Sequence, residues 1–336
     1  MIKTSGDDSQ SVGTSLVQNG RVLIYRKKRS HMVAPVLGQL KKQYETIVQV
    51  DEKYFADGEI NFTVPHLHSL TGKHVTFYAN FDSKRIEDLY CLHAIGNMQP
   101  KMLEIVVPFF PTATMEREMH EGSIVTACTD SFLLSTINPR CPMRIITLDL
   151  HTLAQQFYFP GGVCATLWSC MPYVAEKVCR PDDVIVFPDE GAWKRFKSQF
   201  PHHETVRCAK VRSVTDADGR SIELYADGAE KLRGRRVLIV DDLVRSGNTI
   251  LECAKAAQAA GATSVNAFVS HAVFPRQEYE NFLHSALIDN FWITDSCIDT
   301  CTKIVARQAI ASEHKVFQIL PLHDILNHIG FPQVTK

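Results

Sequence analysis

Residues 236–249 of this 336-residue chain hold its densest concentration of groups able to do chemistry. Four apolar residues, Val237 to Val240, lead into adjacent carboxylates, Asp241 and Asp242. The small polar run Arg245, Ser246, Gly247, Asn248, Thr249 follows and opens a helical stretch. A strand, a polar loop and a helix start make backbone NH groups converge on one point, where the helix dipole favours an anion. Carboxylates beside such a nest would repel a bare phosphate. They suit a sugar phosphate, whose hydroxyls need acceptors about a loop's width away, so the residues point to a pentose 5-phosphate. An isolated Asp-Asp more often caps a turn; the apolar run before it and Ser-Gly-Asn-Thr after it favour the ligand site.

Other chemical groups are scattered. Lys210 and Arg212 alternate and so share one face of a strand. His151 and Asp189 each follow an apolar run, where a histidine is commonly a satisfied loop residue and an aspartate commonly caps a turn. The elements that must position them alternate short apolar runs with amphipathic stretches, the pattern of parallel strands joined by crossover helices. Strands are expected at 21–25, 46–50, 74–81, 103–110, 143–150, 183–188, 205–211, 237–240 and 264–273. Helices are expected at 84–98, with Ile86, Leu89, Leu92 and Ile95 as an apolar stripe, and at 249–260. Residues 205–212 and 221–225 read as a hairpin with Asp218-Gly219 as its turn. The run 159–163 reads as an interdomain connection.

Composition excludes several classes. Hydrophobic residues are 45% and charged ones 22%, as in a folded globular protein. Lys plus Arg number 36 against 37 Asp plus Glu, so no global field would hold a nucleic acid or an anionic membrane. No apolar run nears the roughly 20 residues that span a bilayer. The ten cysteines are dispersed and read as reduced, mostly buried thiols, Cys128 and Cys253 among them, and the pair Cys297 and Cys301 lacks a second pair for zinc. The basic run Arg26 to Arg29 reads as a solvated face. Missing address signals make the cytoplasm the default location.

The 236–249 segment resembles the phosphoribosyl-pyrophosphate (PRPP) loop shared by type I phosphoribosyltransferases and the ribose-phosphate diphosphokinase (PRPP synthetase) family. Further segments separate the two. Residues 55–60, Phe-Ala-Asp-Gly-Glu-Ile, resemble the synthetases' base-supporting loop, and Val107-Pro-Phe-Phe-Pro111 the strand end before their nucleotide loop. Leu148-Asp-Leu-His151 and Phe187-Pro-Asp-Glu-Gly191 resemble two more synthetase segments, and residues 111–122, 189–196 and 291–297 are most similar to the plant-type class II enzymes.

The resemblance implies two tandem type I phosphoribosyltransferase-like α/β domains, each a central, mainly parallel sheet flanked by helices. A flexible leader is expected over 1–32, the nucleotide-side domain over 33–160, the ribose 5-phosphate-side domain over 161–310, and a C-terminal segment, 311–336, packed on one of them. It implies Mg²⁺-dependent transfer of the β,γ-diphosphate of ATP, or of other nucleotides, to the 1-hydroxyl of ribose 5-phosphate. Lys210, Arg212 and Arg195 would act on the migrating group. Asp241, Asp242, Arg245, Ser246, Gly247, Asn248 and Thr249 would hold ribose 5-phosphate. Phe55, Asp57, Glu59, Arg117 and His151 would hold the nucleotide, with His151 and Asp189 at the metal.

A homo-oligomer sharing its ATP site, and paralogous subunits, are also implied, with neither nucleic acid nor membrane as partner. Two departures stand out. Ala113-Thr114-Met115 replaces an Ala-Arg-Gln of the nucleotide loop, leaving Arg117 as the substitute cation, and Arg245 stands where class I members often carry Asp. The first departure is what a non-catalytic regulatory subunit would show; a phosphoribosyltransferase that consumes PRPP would carry a base-specific hood in place of the N-terminal motifs.

Overall fold

The computed structural model describes residues 20–112, 114–137, 140–211, 221–224, 228–310 and 315–330, without the side chains of 209–211 and 221–224. Its strands are β1 (Arg21–Tyr25), β2 (Thr46–Gln49), β3 (Asp51–Tyr54), β4 (Ile60–Thr63), β5 (His74–Tyr78), β6 (Met102–Val107), β7 (Met143–Leu148) and β8 (Val163–Trp168), then β9 (Val184–Phe187), β10 (Glu204–Val211), β11 (Ser221–Leu224), β12 (Arg236–Val244), β13 (Ser264–Ala272), β14 (Asn290–Thr294) and β15 (Phe317–Leu320).

These make two sheets, ordered β2-β1-β5-β6-β7-β8 and β11-β10-β9-β12-β13-β14-β15. Every pairing is parallel except β10 with β11. β3 and β4 form a separate antiparallel hairpin. The inner strands β6, β9 and β13 are buried almost throughout, which is why they read as continuous apolar runs: a parallel sheet is covered on both faces. Two α/β domains result, each a parallel sheet flanked by helices.

Four local expectations are corrected. The leader cannot extend through residue 32, because β1 is an interior strand between β2 and β5. Residues 159–163 are not the interdomain connection, because β8 follows them and pairs with β7. The run Arg26 to Arg29 is not a solvated face: Arg26 is 3% and Arg29 2% exposed. Arg26 pairs with Glu52, Glu87 and Asp88, while Arg29 donates to the carbonyls of Ala79, Asn80 and Ser296. Cys128 is exposed, whereas Cys253 is buried.

The helix expected at 84–98 spans Arg85–Asn97 and buries Leu89, Leu92 and Ile95, but leaves Ile86 exposed. The C-terminal segment belongs to both domains. β15 extends the second sheet, and the helix Leu322–His328 places Leu322, Ile325 and Leu326 in an apolar cluster with Met32, Val33 and Leu40 of the first domain and Leu238 and Phe268 of the second. That shared core joins the two sheets.

Candidate functional site

β12 runs through the acidic pair instead of stopping before it. Pairing with β13 continues through Asp241↔Val269, Leu243↔His271 and Val244↔Ala272. On the other side β9 covers only Val237 to Ile239, so the pair stands beyond the end of one neighbour, at the carboxyl edge where open α/β sheets bind ligands. The loop 245–247 then feeds the helix Asn248–Ala259, whose buried face is Ile250, Cys253, Ala254 and Ala257; the small alanines let the helix approach the sheet closely. Gly247 caps this helix at φ +80°, and a Cβ there would sit 2.5 Å from the Cε2 and Cζ atoms of Phe282. Only glycine fits both constraints. Ser246 Oγ accepts the Asn248 NH at 3.4 Å.

A cleft of about 660 Å³ opens over this edge between the domains. The second domain lines it with Asp189, Arg195, Asp241, Asp242, Arg245, Ser246, Gly247 and Thr249, and the first with Thr114, Arg117 and His151. Asn248 lies just behind it at the helix start. Asp189 caps the helix Glu190–Phe196, accepting the Ala192 NH at 3.0 Å, and Gly191 leaves room for that carboxylate, since a Cβ there would come within 3.2 Å of it. Asp189 thus caps its helix, as an aspartate at a strand end commonly does, while also lining the cleft.

Charge is organised around Asp242, which is 5% exposed. Its Oδ2 meets His151 Nδ1 at 3.0 Å and accepts from Arg195 Nη1 at 3.0 Å; the same Nη1 lies 3.3 Å from the His151 carbonyl. Burial pushes the Asp242 carboxyl up, but His151 and Arg195 outweigh it and hold the group below the usual carboxylate value. The bond to Asp242 raises the His151 imidazole above its ordinary value, against the opposing effect of burial. Asp241 goes the other way: burial, then the negative charges of Asp242 and Asp189, push its carboxyl well up.

Lys210 lies near the end of β10, opposite Ile222 of β11, in the antiparallel pair expected there; its side chain and all of Arg212 and Asp218-Gly219 fall outside the described residues. Phe55, Asp57 and Glu59 occupy the β3–β4 turn, where Asp57 accepts the Glu59 NH at 3.0 Å, and none of them lines the cleft of its own chain. Arg117 lines the cleft with a side chain 72% exposed. The sequence reading missed Thr114, whose Oγ1 lies 3.5 Å from Arg245 Nη1, and also Glu116 and Thr152 of the same wall. Thr114 is unremarkable as a cleft residue in sequence because its partner, Arg245, comes from the other domain.

The acidic wall suits a magnesium ion only in part. Among the described residues no three His, Cys, Asp or Glu side chains close on one point. Mg²⁺ takes one or two carboxylates and completes its shell with water and substrate phosphates, which matches Asp189, Asp241 and Asp242 along one cleft better than an all-protein cage. The repulsion raising Asp241 is what a cation would relieve. His151 is a poorer donor for that hard ion, with Nδ1 already engaged by Asp242.

Fold and site define a two-domain α/β protein of the phosphoribosyltransferase type. Residues 182–297 match the phosphoribosyl transferase domain family. A crystal structure of phosphoribosylpyrophosphate synthetase from Mycobacterium smegmatis superposes with a TM-score of 0.68 at 18% identity, covering 92% of this chain and 97% of that one, a likeness of fold. Among curated sequences the chain is similar to ribose-phosphate pyrophosphokinase 4 of rice (Oryza sativa subsp. japonica), 37% identical over 76% of this chain and 81% of that one. It is also similar to the mitochondrial ribose-phosphate pyrophosphokinase 3 of spinach (Spinacia oleracea), 38% identical over 72% of this chain. The match spans 62% of the spinach protein's length, and 64% of a chloroplastic relative from Arabidopsis thaliana. The chain belongs to the ribose-phosphate pyrophosphokinase family.

Proposed function

We propose that the protein is a ribose-phosphate diphosphokinase of the class II type, forming PRPP and AMP from ribose 5-phosphate and ATP. The observation that supports this most is the convergence, in one interdomain cleft, of the anion loop 245–249 and the acidic pair with Arg117 and His151 of the first domain. In this reading the 5-phosphate sits on the loop amides at the start of the helix Asn248–Ala259, and Asp241 and Asp242 accept from the ribose hydroxyls. The 1-hydroxyl then attacks the β-phosphorus of ATP. The new O1–Pβ bond forms as the bridge to the α-phosphate breaks, AMP leaves, and the hydroxyl proton passes to solvent.

Such transfers depend on in-line positioning and charge neutralisation. Lys210 and Arg212, at the end of β10 and just after it, are proposed to supply positive charge to the migrating group, with Arg195 anchored behind Asp242. Arg245 lies against Thr114, the position of the missing nucleotide-loop arginine, and together with Arg117 offers cationic charge there. Bound Mg²⁺, held by Asp241, Asp242 and Asp189 with substrate oxygens, would neutralise phosphate charge. Since Phe55, Asp57 and Glu59 do not line the cleft of their own chain, the nucleotide base is proposed to be held by the β3–β4 hairpin of a second copy, in a homo-oligomer, with paralogous subunits proposed as further partners. No described helix is long and apolar enough to cross a membrane. The ten free cysteines support a reducing compartment such as the cytoplasm.

The test is AMP and PRPP formation by the purified chain with ATP, Mg²⁺ and ribose 5-phosphate, with and without inorganic phosphate. Turnover without phosphate is expected. A strict phosphate requirement would reject the class II assignment, and no turnover in either condition would favour a regulatory subunit.

A further inference from the structure

Residues 148–151 of the first domain are tied to the second at four points. The Leu148 carbonyl accepts from His271 Nε2 at 3.0 Å, and Asp149 Oδ2 accepts from Ser270 Oγ at 2.5 Å. His151 Nδ1 meets Asp242, and the His151 carbonyl accepts from Arg195. Asp149 is held at φ +39°, a left-handed conformation that a non-glycine residue keeps only where the surroundings over-determine it. They do so here: Asp149 is 1% exposed, and its carboxylate also takes Ser169 Oγ at 2.6 Å and the Cys170 NH at 2.9 Å.

His271 is built into the opposite side. It is 3% exposed and stands in register with Leu243, the residue after Asp242. A carbonyl only accepts, so His271 carries its proton on Nε2, and Nδ1 takes the Ser296 hydroxyl at 2.9 Å. Around Ser296, the Ser270 carbonyl accepts from Thr294 Oγ1 at 2.6 Å and lies 3.0 Å from Ser296 Oγ. Phe109 of the first domain packs on the imidazole with ring centres 5.0 Å apart.

We infer that Ser270 and His271 are positioning residues for the transfer: they clamp residues 148–151 so that His151 and Asp242, from different domains, meet in the cleft. The inference rests on the functional reading above, which makes that alignment matter. The loop 245–249 lies wholly within the second domain, so loosening the clamp should leave ribose 5-phosphate binding alone and strike the step that needs both domains.

His271→Leu keeps the bulk and removes the donor; His271→Gln returns an amide donor near the Nε2 position. The Leu variant is expected to lose about 10- to 100-fold in kcat, the scale of a misplacement near 1 Å, while KM for ribose 5-phosphate stays within about twofold. The Gln variant should recover most of the loss. Amide exchange of a peptide covering residues 148–152, read by mass spectrometry, should quicken in the Leu variant and return in the Gln variant. Folded His271→Leu with wild-type kcat and exchange overturns the clamp, as does a ribose 5-phosphate KM that rises in step with the loss of kcat. Should the Leu variant not fold, Ser270→Ala removes the second tie and carries the same readouts. A wild-type chain that makes no PRPP sinks the functional reading alone, and the exchange measurement still decides the clamp.

Discussion

Gly247→Ala puts the anion loop to a quantitative test. Two costs are built in at this position. A left-handed backbone at φ +80° costs an L-residue about 1–2 kcal/mol. The added methyl falls 2.5 Å from two ring carbons of Phe282, which is boxed in by Phe274, Phe291 and Phe317, and overpacking of such a site costs about 1–3 kcal/mol. The total of about 2–5 kcal/mol emerges either as lost stability or as a loop pushed off its ligand geometry, where each 1.4 kcal/mol of binding is tenfold in affinity. Calorimetric titration of ribose 5-phosphate and thermal unfolding of the same samples read both. At least a tenfold loss of affinity or a Tm lower by several degrees is expected. Adding Phe282→Leu makes room for the methyl, so the double variant should be less damaged than the two single effects summed. Wild-type affinity together with wild-type Tm for Gly247→Ala would refute the loop geometry, and strict additivity would refute the role of the ring.

Three further outcomes follow from the site. Lys210→Ala should lower turnover by about 10²–10³-fold with ribose 5-phosphate affinity nearly intact; unchanged turnover in a steady-state assay removes Lys210 from the mechanism. Asp241→Asn should abolish turnover yet stabilise the ligand-free protein at neutral pH. The folded carboxyl is raised by burial and by Asp242 and Asp189, so it subtracts from stability once pH exceeds the unfolded carboxylate value near 3.9; the gain in Tm should vanish below about pH 4, and a variant less stable at pH 8 contradicts the repulsion. Arg195→Met leaves the buried Asp242 with His151 alone and should cost about 1–3 kcal/mol near neutrality. Asp242 is lowered in the fold, so its contribution is present above the unfolded value and lost as pH falls through the folded one; a Tm deficit that does not shrink on acidification would contradict this.

What could be read in the sequence was local. Strand, acidic pair, loop and helix start lie within fourteen consecutive residues, and each is set by its own periodicity and by one glycine. The overrun of β12 to Val244 could not be read, because it depends on β13 being longer than β9 on the other flank. Arg26 looked solvated because the carboxylates that bury it, Glu52, Glu87 and Asp88, are 26 to 62 residues away. The cross-domain pairs Thr114 with Arg245 and Leu148 with His271 are 131 and 123 residues apart, beyond any periodic signal. The site's recognition loop was therefore legible, and the interdomain geometry that completes it was not.

The acidic pair shows why both kinds of information are needed. Adjacent aspartates look equivalent in sequence, yet the fold pushes them in opposite directions. Asp242 is given two partners, one a histidine from the other domain, which hold its carboxyl below the usual value and favour its ionised form. Asp241 keeps the NH of Asp242 as its bond and faces two like charges, so its ionised form is disfavoured until positive charge or a hydroxyl donor arrives. Under the proposed reaction Asp242 is then the fixed reference that keeps the domains aligned, and Asp241 is the group whose discomfort is relieved by substrate and cation together. A ligand that brings hydroxyl donors and a divalent cation to Asp241 would relieve the repulsion from Asp242 and Asp189. That is the pairing a magnesium-dependent transfer to a ribose hydroxyl requires.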